Sequence, residues 1–555
     1  MPLRTQPKAV DADERAYGVP VSLPKLRNLD KYGVITDVDP FDLPLGAWSM
    51  ALNVRFEDGR INSAPVWRQV GNPLSKTPRF CYVANKVDNT TSVYVGSLDG
   101  SVIDWTPTSE RTASPPGFTP SESEAQWSAA TLAGVVYLNR EDRTPWCLRP
   151  TSTEFEVMPA WDAGWRARLI RSYAGALVAL NVTKAGVRYP TMVKTSDLVT
   201  DPGDPPPSWD ETQTTNNATE NLLTEMNGEI VDAAILGNSL ILYSTQETWQ
   251  MTADGSGNVY TYRKLPFSGG ALNANCAVEV DNRHFVFGAE DIWVHDGLSE
   301  ESIADARVRK FIYRSMNAKK SDRFFVSHDP SKKTVSFHFV SGDRFTTFNG
   351  TGCNRSAVFH LTSKTWVFDD NPLVFASGFA KVSLQTLTWA NVTSTWSTSG
   401  GSWQDLEDGF KRTMIYVGEA DPDSGLQARV YARDNYGEGS SLSSAVDTVA
   451  SRPGLLVRDG IDLDEMDTKL EGYKLLQHIW PQGRLDPSSA PLSFTVGVTD
   501  FPSVPPVFAA PMTYDAHENY YLDFDAAGRF LSLRIDYPDY KSMSLSGLDF
   551  ELDTL

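Results

Sequence analysis

Apolar and polar residues alternate along this chain in short runs separated by turn residues. The clearest case is SVYVGSLDGSVIDW, Ser92 to Trp105, where alternation stops and restarts around Asp99-Gly100. A period of two places successive side chains on opposite faces of a strand. Asp-Gly between two such runs predicts a hairpin, because a primed turn needs positive φ. LILYSTQETWQM around Trp249, HFVFGAEDIWVHDG around Trp293 and SAVFHLTSKTWVFDD around Trp366 have the same design, and TPWCLRP around Trp146 ends a further piece. Trp105 to Trp146 and Trp249 to Trp293 both span the about 40–50 residues of a propeller blade. The longer gaps, Trp146 to Trp249 and Trp293 to Trp366, leave room for further blades or insertions. A four-stranded blade cannot cover both faces alone; packed radially, each blade buries its neighbour and the tryptophans fill the wedge. The competing reading is a β-sandwich with interior tryptophans.

The pattern divides the chain. Residues 1–30 are polar, contain proline and lack a period, so they read as an extended arm ordered by a partner. Residues 31–75 hold a first set of strands. Residues 76–450 form an irregular β-propeller-like body, and 451–555 read as a closing β-sandwich, with LSFTVGVTD, YLDFDAAGRFLSLRIDY and MSLSGLDFELDTL as its strands. The expected fold class is all-β. Pro205-Pro206-Pro207 cannot enter a ladder, so Asp201 to Glu229 reads as a long inserted loop. SIADARVRKFIYRSMN is the segment that reads as a helix, with Ile303, Val308, Phe311 and Ile312 sharing a face.

Composition narrows the function classes. The 555 residues are 41% apolar and 22% charged, enough for a sizeable core. Lys plus Arg number 50 against 70 Asp plus Glu, a formal charge of −20. That balance argues against tight unspecific binding to nucleic acid and against an anionic membrane. No run approaches the roughly 18 apolar residues of a membrane helix, and the N-terminus lacks a signal-peptide core, so synthesis in a cytoplasm is expected. Cys81, Cys147, Cys276 and Cys353 form no C-x-x-C pair and read as scattered buried thiols. There is no G-x-S-x-G, P-loop or H-E-x-x-H. The seven histidines include no pair at metal-ligand spacing; His328 and His338 lie on neighbouring runs. No catalytic, metal or cofactor residue is assigned. Propeller glycosidases use carboxylate pairs near the axis, but sequence does not place two carboxylates together.

Two charged segments are candidates for contact. Asp201, Asp204, Asp210, Glu211, Glu220, Glu225 and Glu229 lie in the inserted loop without a Lys or Arg. They face either the lumen or tip of an assembly, or only solvent. Arg307, Arg309, Lys310, Arg314, Lys319, Lys320 and Arg323 form a basic cluster. It reads as a solvated or subunit-contacting face, or more sharply as a DNA contact.

Gly33 to Val70, GVITDVDPFDLPLGAWSMALNVRFEDGRINSAPVWRQV, resembles the opening motif of tail nozzle, or tail tubular protein B-like, proteins of short-tailed bacteriophages. Gly33, Asp37, Pro40, Leu43, Pro44, Gly46, Trp48, Asn53, Val54, Arg55, Phe56 and Gly59 match it. GRFLSLRIDYPDYKSMSLSGLDFEL is similar to that family's closing strands through Gly528, Arg529, Arg534 and Gly547. The resemblance implies a virion structural protein, not an enzyme. It implies a ring, typically a hexamer, below the portal-adaptor, with tail fibre or spike proteins as further partners. Genomic DNA would pass in transit without tight binding, along a predominantly acidic wall. A receptor- or glycan-binding tail propeller is the runner-up, and a propeller glycosidase the third reading.

Overall fold

Alternation becomes strand almost wherever the chain is described. The computed structural model describes residues 25–85, 91–254, 259–267, 269–343, 350–380, 412–421, 427–433, 453–462, 472–487, 489–539 and 542–554. The protein is all-β, with a propeller-like body and a β-sandwich. Among the described residues the body has seven four-stranded antiparallel blades.

Blade 1 is Pro78–Asn85, Thr91–Ser97, Val102–Thr106 and Ser109–Thr112. Blade 2 is Trp127–Leu132, Val135–Arg140, Trp146–Leu148 and Glu156–Val157. Blade 3 is Trp165–Tyr173, Ala176–Lys184, Val187–Thr195 and Thr219–Leu222. Blade 4 is Ile230–Leu236, Ser239–Ser244, Thr248–Ala253 and Tyr260–Lys264. Blade 5 is Ala277–Val280, Arg283–Phe287, Ile292–His295 and Glu300–Ser302. Blade 6 is Phe325–Asp329, Thr334–Phe339, Cys353–His360 and the first half of Thr365–Ala380. That long strand bends at Leu373, whose φ is +51°. Its second half begins blade 7 with Thr413–Gly418 and Arg429–Ala432. Arg68–Val70 is the outer strand of blade 7, so a segment from before blade 1 closes the ring. The first strand of every blade faces the shared axis.

The tryptophans mark blade positions. Trp105, Trp146, Trp249 and Trp293 sit in third strands, while Trp366 sits in a fourth; all are buried. The gap from Trp146 to Trp249 holds all of blade 3. Trp127 lies flat against Gly96 of blade 1, where a Cβ would come within 3.0 Å of the indole. This is the wedge filling that the pattern implies.

The sandwich is made from both ends of the chain. One sheet contains Lys25–Arg27, Val54–Glu57, Arg60–Ser63, Met543–Thr554, Lys474–Leu485 and Leu522–Gly528. The other contains Met50–Leu52, Gly454–Ile461, Phe530–Tyr537 and Leu492–Thr499, with short edge strands Val507–Phe508 and Met512–Tyr514. Leu476, Ile479 and Phe550 meet Val496, Leu531 and Leu533 between them. Met50–Leu52 also pairs with blade 6 at Leu52–Phe368, so sandwich and propeller share one continuous sheet.

Four sequence expectations need correction. The arm expected over 1–30 ends sooner: Lys25–Arg27 is a strand, and Leu26 and Leu29 are core residues. Residues 1–24 lie outside the described residues. The strands of 31–75 are not a unit of their own; they complete the sandwich and blade 7. The α-helix is only Arg309–Ser315, because Ala306 takes φ +55° and Ile303 bonds back to the Ile292 carbonyl. The Asp99-Gly100 hairpin is not a primed two-residue turn: Gly100 alone of the two is left-handed, and the Asp99 carboxylate accepts from the Ser101 N–H. Asp58-Gly59 does make such a turn, with φ +55° and +76°.

Candidate functional site

Two places concentrate polar groups: the axial cavity and the junction between propeller and sandwich. The cavity holds 760 Å³ and is lined by the first strands of all seven blades. Its polar wall includes Arg171, Asp232, Asn275, Glu279, Tyr82 and Thr131. Arg171 donates to Asp232 at 2.7 Å and to the Ala233 carbonyl at 2.8 Å. Tyr82 and Thr131 share a hydrogen bond of 2.8 Å. The volume is that of a small-ligand pocket; a duplex whose major groove alone is about 12 Å wide does not thread it.

Behind the cavity, blades 4 and 5 meet through a directed chain of hydrogen bonds. His284 Nε2 lies 2.8 Å from the Ile235 carbonyl, so it carries the proton and donates. Its Nδ1 then accepts from the Tyr243 hydroxyl at 2.6 Å, and that oxygen accepts from His295 Nε2 at 2.6 Å. His295 Nδ1 accepts from the Gly297 N–H. Every role needs a neutral imidazole. Burial lowers both histidines, His295 to about 3.

The junction is built on the motif residues. Gly33, at φ +63°, lies against Thr365, where a Cβ would meet the Thr365 Cβ at 2.7 Å. The Asp37 carboxylate accepts from the Lys310 N–H at 2.9 Å, capping a helix far away in sequence. Leu43 and Trp48 are buried; Pro44 accepts from the Ala47 N–H, and Gly46 packs on Tyr32. The Gly59 N–H donates to Asp30 at 2.7 Å. Asn53 donates to Asp370 at 3.0 Å and accepts from the Asp370 N–H at 2.9 Å. Arg55 grips Asp369 in a fork at 2.9 and 2.5 Å, and Arg433 pairs with the same carboxylate. Arg355 bridges Asp370 at 2.5 Å and Asp343 at 2.9 Å. Burial would raise the Asp369 carboxyl, but Arg433 and Arg55 outweigh it and hold it well below the usual range. Burial dominates at Asp370 and raises it. At the other end of the chain, Gly528 packs on Val498 and Arg529 lies over Phe530. Arg534 pairs with Asp536, and Gly547 makes room for Arg27.

The two charged segments are largely consumed within the chain. Asp204 pairs with Arg149, Glu211 with Lys194 at 2.5 Å, Glu220 with Lys184 and Lys194, and Glu229 with Arg168 and Arg188. Lys194 is wholly buried and lies 4.5 Å over the Trp165 ring. Asp210 caps the Thr212 N–H, Asp201 accepts from Thr200, and Glu225 is exposed. Glu220 stands on the outer strand of blade 3. The inserted segment is therefore folded onto its blade. In the basic cluster, Arg307 donates to the Tyr32 carbonyl and Lys310 to that of Asp37. Arg309 pairs with Asp305, and Arg323 with Glu124. Lys320 donates to Gly350, while Arg314 and Lys319 are exposed. The partners of these cations belong to several separate segments, among them Tyr32, Asp37, Glu124 and Gly350.

Sequence reasoning missed Asp369, Asp370, Arg355 and Arg433. The doublet Asp369-Asp370 inside a strand run was the available signal. The four cysteines are buried and unbridged, and burial pushes Cys81 and Cys147 up to about 12. His338 bonds Ser327 and Asn371, while His328 sits elsewhere on the neighbouring strand. Among the described residues no helix is long and apolar enough to cross a membrane.

Fold and site thus define an all-β protein whose propeller-like body shares a continuous sheet with a β-sandwich. No protein-family model and no curated protein matches the chain. Among solved structures it is similar to the computationally designed Ika8 protein, at 10% identity and TM-score 0.36, over 66% of this chain and 100% of that one. It is also similar to YCF48 bound to D1 peptide, at 11% identity and TM-score 0.33, covering 55% of this chain and 87% of that one. A third is PorZ of the type-IX secretion system of Porphyromonas gingivalis, at 9% identity and TM-score 0.33, covering 57% and 35%. Likeness at this level carries no argument about function.

Proposed function

We propose that this chain is a non-enzymatic structural subunit of a short bacteriophage tail, a nozzle that assembles as a ring below the portal-adaptor and forms the conduit for DNA ejection. The observation that carries the reading is the place of the resembling residues. Gly33, Asp37, Trp48, Asn53 and Arg55 all sit where the propeller meets the sandwich. A motif spent on joining two bodies through buried ion pairs and hydrogen bonds suits a load-bearing subunit better than a catalyst. In this reading the conduit is the space between subunits, since the axial cavity of one chain is too small for a duplex. Six copies, fibre or spike partners and a location in the virion belong to the same proposal. The test is the mass of the purified protein with and without its adaptor, and its copy number in the virion. A closed ring is expected; a single copy per tail, monomeric in both settings, overturns the reading.

The glycan-binding reading has one observation in its favour, the polar-lined cavity of small-ligand size. Binding of host polysaccharide by the isolated chain, lost on Arg171→Ala, would favour it over the nozzle.

A further inference from the structure

We propose that the open edge of the sandwich, from Phe501 to Tyr514, is the surface through which one copy of this chain meets the next, an inference that rests on the ring reading. Large apolar side chains stand out along it: Val507 is 72% exposed, Phe501 64% and Val504 48%. The edge strands Val507–Phe508 and Met512–Tyr514 pair with Leu492–Thr499 and, among the described residues, with no other strand. Among the described residues no strand pairs with their outer side.

A free apolar edge invites indiscriminate strand addition, and proline is a natural guard against it. Pro505, Pro506 and Pro511 flank these strands and have no N–H to give to a ladder. Continued β-pairing into fibres is blocked, while the apolar side chains remain on show. What the edge can do is pack, side chain against side chain, on a shaped partner.

Charge selects the partner. From Phe501 to Tyr514 the sequence FPSVPPVFAAPMTY contains no charged residue. The chain as a whole carries −20. Two copies that approach through average surface repel each other, and within a Debye length of about 8 Å the repulsion acts on contact. An uncharged stretch is where an acidic protein meets its own kind at least cost. An oppositely charged partner would gain nothing there. The area is of the right order. Phe501 and Phe508 are about half exposed, and at roughly 150–250 Å² per aromatic side chain they offer on the order of 200 Å², to which the exposed Val504, Val507 and Met512 add. A standard interface buries about 800 Å² per partner around an apolar centre. The edge supplies that centre, and polar groups around it form the rim. Because a ring contact joins two different patches, the receiving surface lies elsewhere on the neighbour.

The experiment uses the full chain. Its assembly is followed by native mass measurement over a concentration series for wild type, for Val507→Asp with Phe508→Asp, and for Val157→Asp. Val157 is an exposed control on the outer strand of blade 2. The expected result is assembly of wild type and control, and an assembly constant weakened at least about tenfold in the double variant. Equal assembly of all three overturns this inference and leaves the ring standing. A wild type that stays monomeric with and without its adaptor overturns both. Should the aspartates impair folding, a photo-crosslinking phenylalanine analogue at Val507 is to link two copies covalently. Labelling of polysaccharide or another protein instead, with no linked pair of copies, overturns the inference.

Discussion

At the residue scale the most demanding group is Asp369. It is fully buried between Arg55 and Arg433, and it joins the N-terminal strands to blades 6 and 7. Charges in so dry a place are stable only as a set, because each is costly without its partners. Asp369→Asn leaves two guanidinium groups facing one amide. The expected loss is about 3–5 kcal/mol of unfolding free energy, seen as a lower urea midpoint. Arg534→Ala, which breaks an exposed pair with Asp536, is expected to cost about 0–1 kcal/mol. Equal effects would show that the junction charges are not structural. Gly33 carries a second residue-scale constraint: its positive φ and the Thr365 contact leave no room for a side chain.

At the element scale the decisive segment is the strand Lys25–Arg27. It pairs with Gly547–Asp549 at the edge of the sandwich, and Arg27 forms an ion pair with Asp549. Leu26 and Leu29 enter the core, the Leu29 carbonyl takes the Trp48 indole N–H, and Asp30 holds the Gly59 turn. Deleting residues 1–24 removes none of these contacts and is expected to leave the melting temperature unchanged. Deleting 1–30 removes all of them. Losing two buried leucines alone costs several kcal/mol, at about 2–5 each for truncation to alanine. A cooperative melt of the two truncations under the same conditions checks this. A shorter deletion as damaging as the longer one would contradict it. If the nozzle reading holds, the first truncation is also the one that tests the arm's role in attachment.

At the scale of the whole molecule the histidines set an acid limit. His284, His295, His328, His338 and His360 are all lowered, in each case chiefly by burial, and His338 like His295 sits at about 3. In the unfolded chain a histidine takes a proton below about pH 6.5. The folded protein takes it only at lower pH, for His295 and His338 near 3. The unfolded state therefore binds more protons across that interval, and stability falls as pH drops from 6.5. Each such histidine contributes up to about 1.4 kcal/mol per pH unit. The carboxylates act later: burial opposes ionisation of Glu247, yet Lys264, Trp249 and Asn227 bring it down to about 2, and its contribution is lost progressively as pH falls from the ordinary carboxyl value of 4.5 to that one. Melting temperature is thus expected to decline from pH 6.5 downward, with a shallower slope in His338→Gln. A curve flat to pH 4.5 would refute the assignment. At the same scale, the expected acidic wall of a DNA conduit has to come from groups other than Asp204, Glu211, Glu220 and Glu229, which are neutralised inside one chain.

Alternation, turn residues and tryptophan spacing were enough to read an all-β chain with blades and a closing sandwich. They are local signals, and strands and hairpins answer to local physics. The helix was overextended because Ser302–Val308 alone does not reveal that Ile303 bonds to blade 5 and that Ala306 turns left-handed. The inserted segment looked like a free acidic loop because its partners, Arg149, Lys184, Lys194, Arg168 and Arg188, lie outside it in sequence. The motif from Gly33 to Val70 was legible as a pattern, but not as a weld between two bodies. Its partners Trp366, Asp369, Asp370 and Arg433, the last lying over the Trp67 ring, are some 300 or more residues away along the chain. Blade number and ring closure by Arg68–Val70 belong to the same class. Sequence determines what each segment can form by itself. Which buried charges meet, and which strand closes the ring, depends on burial and proximity, and those exist only once the chain has folded.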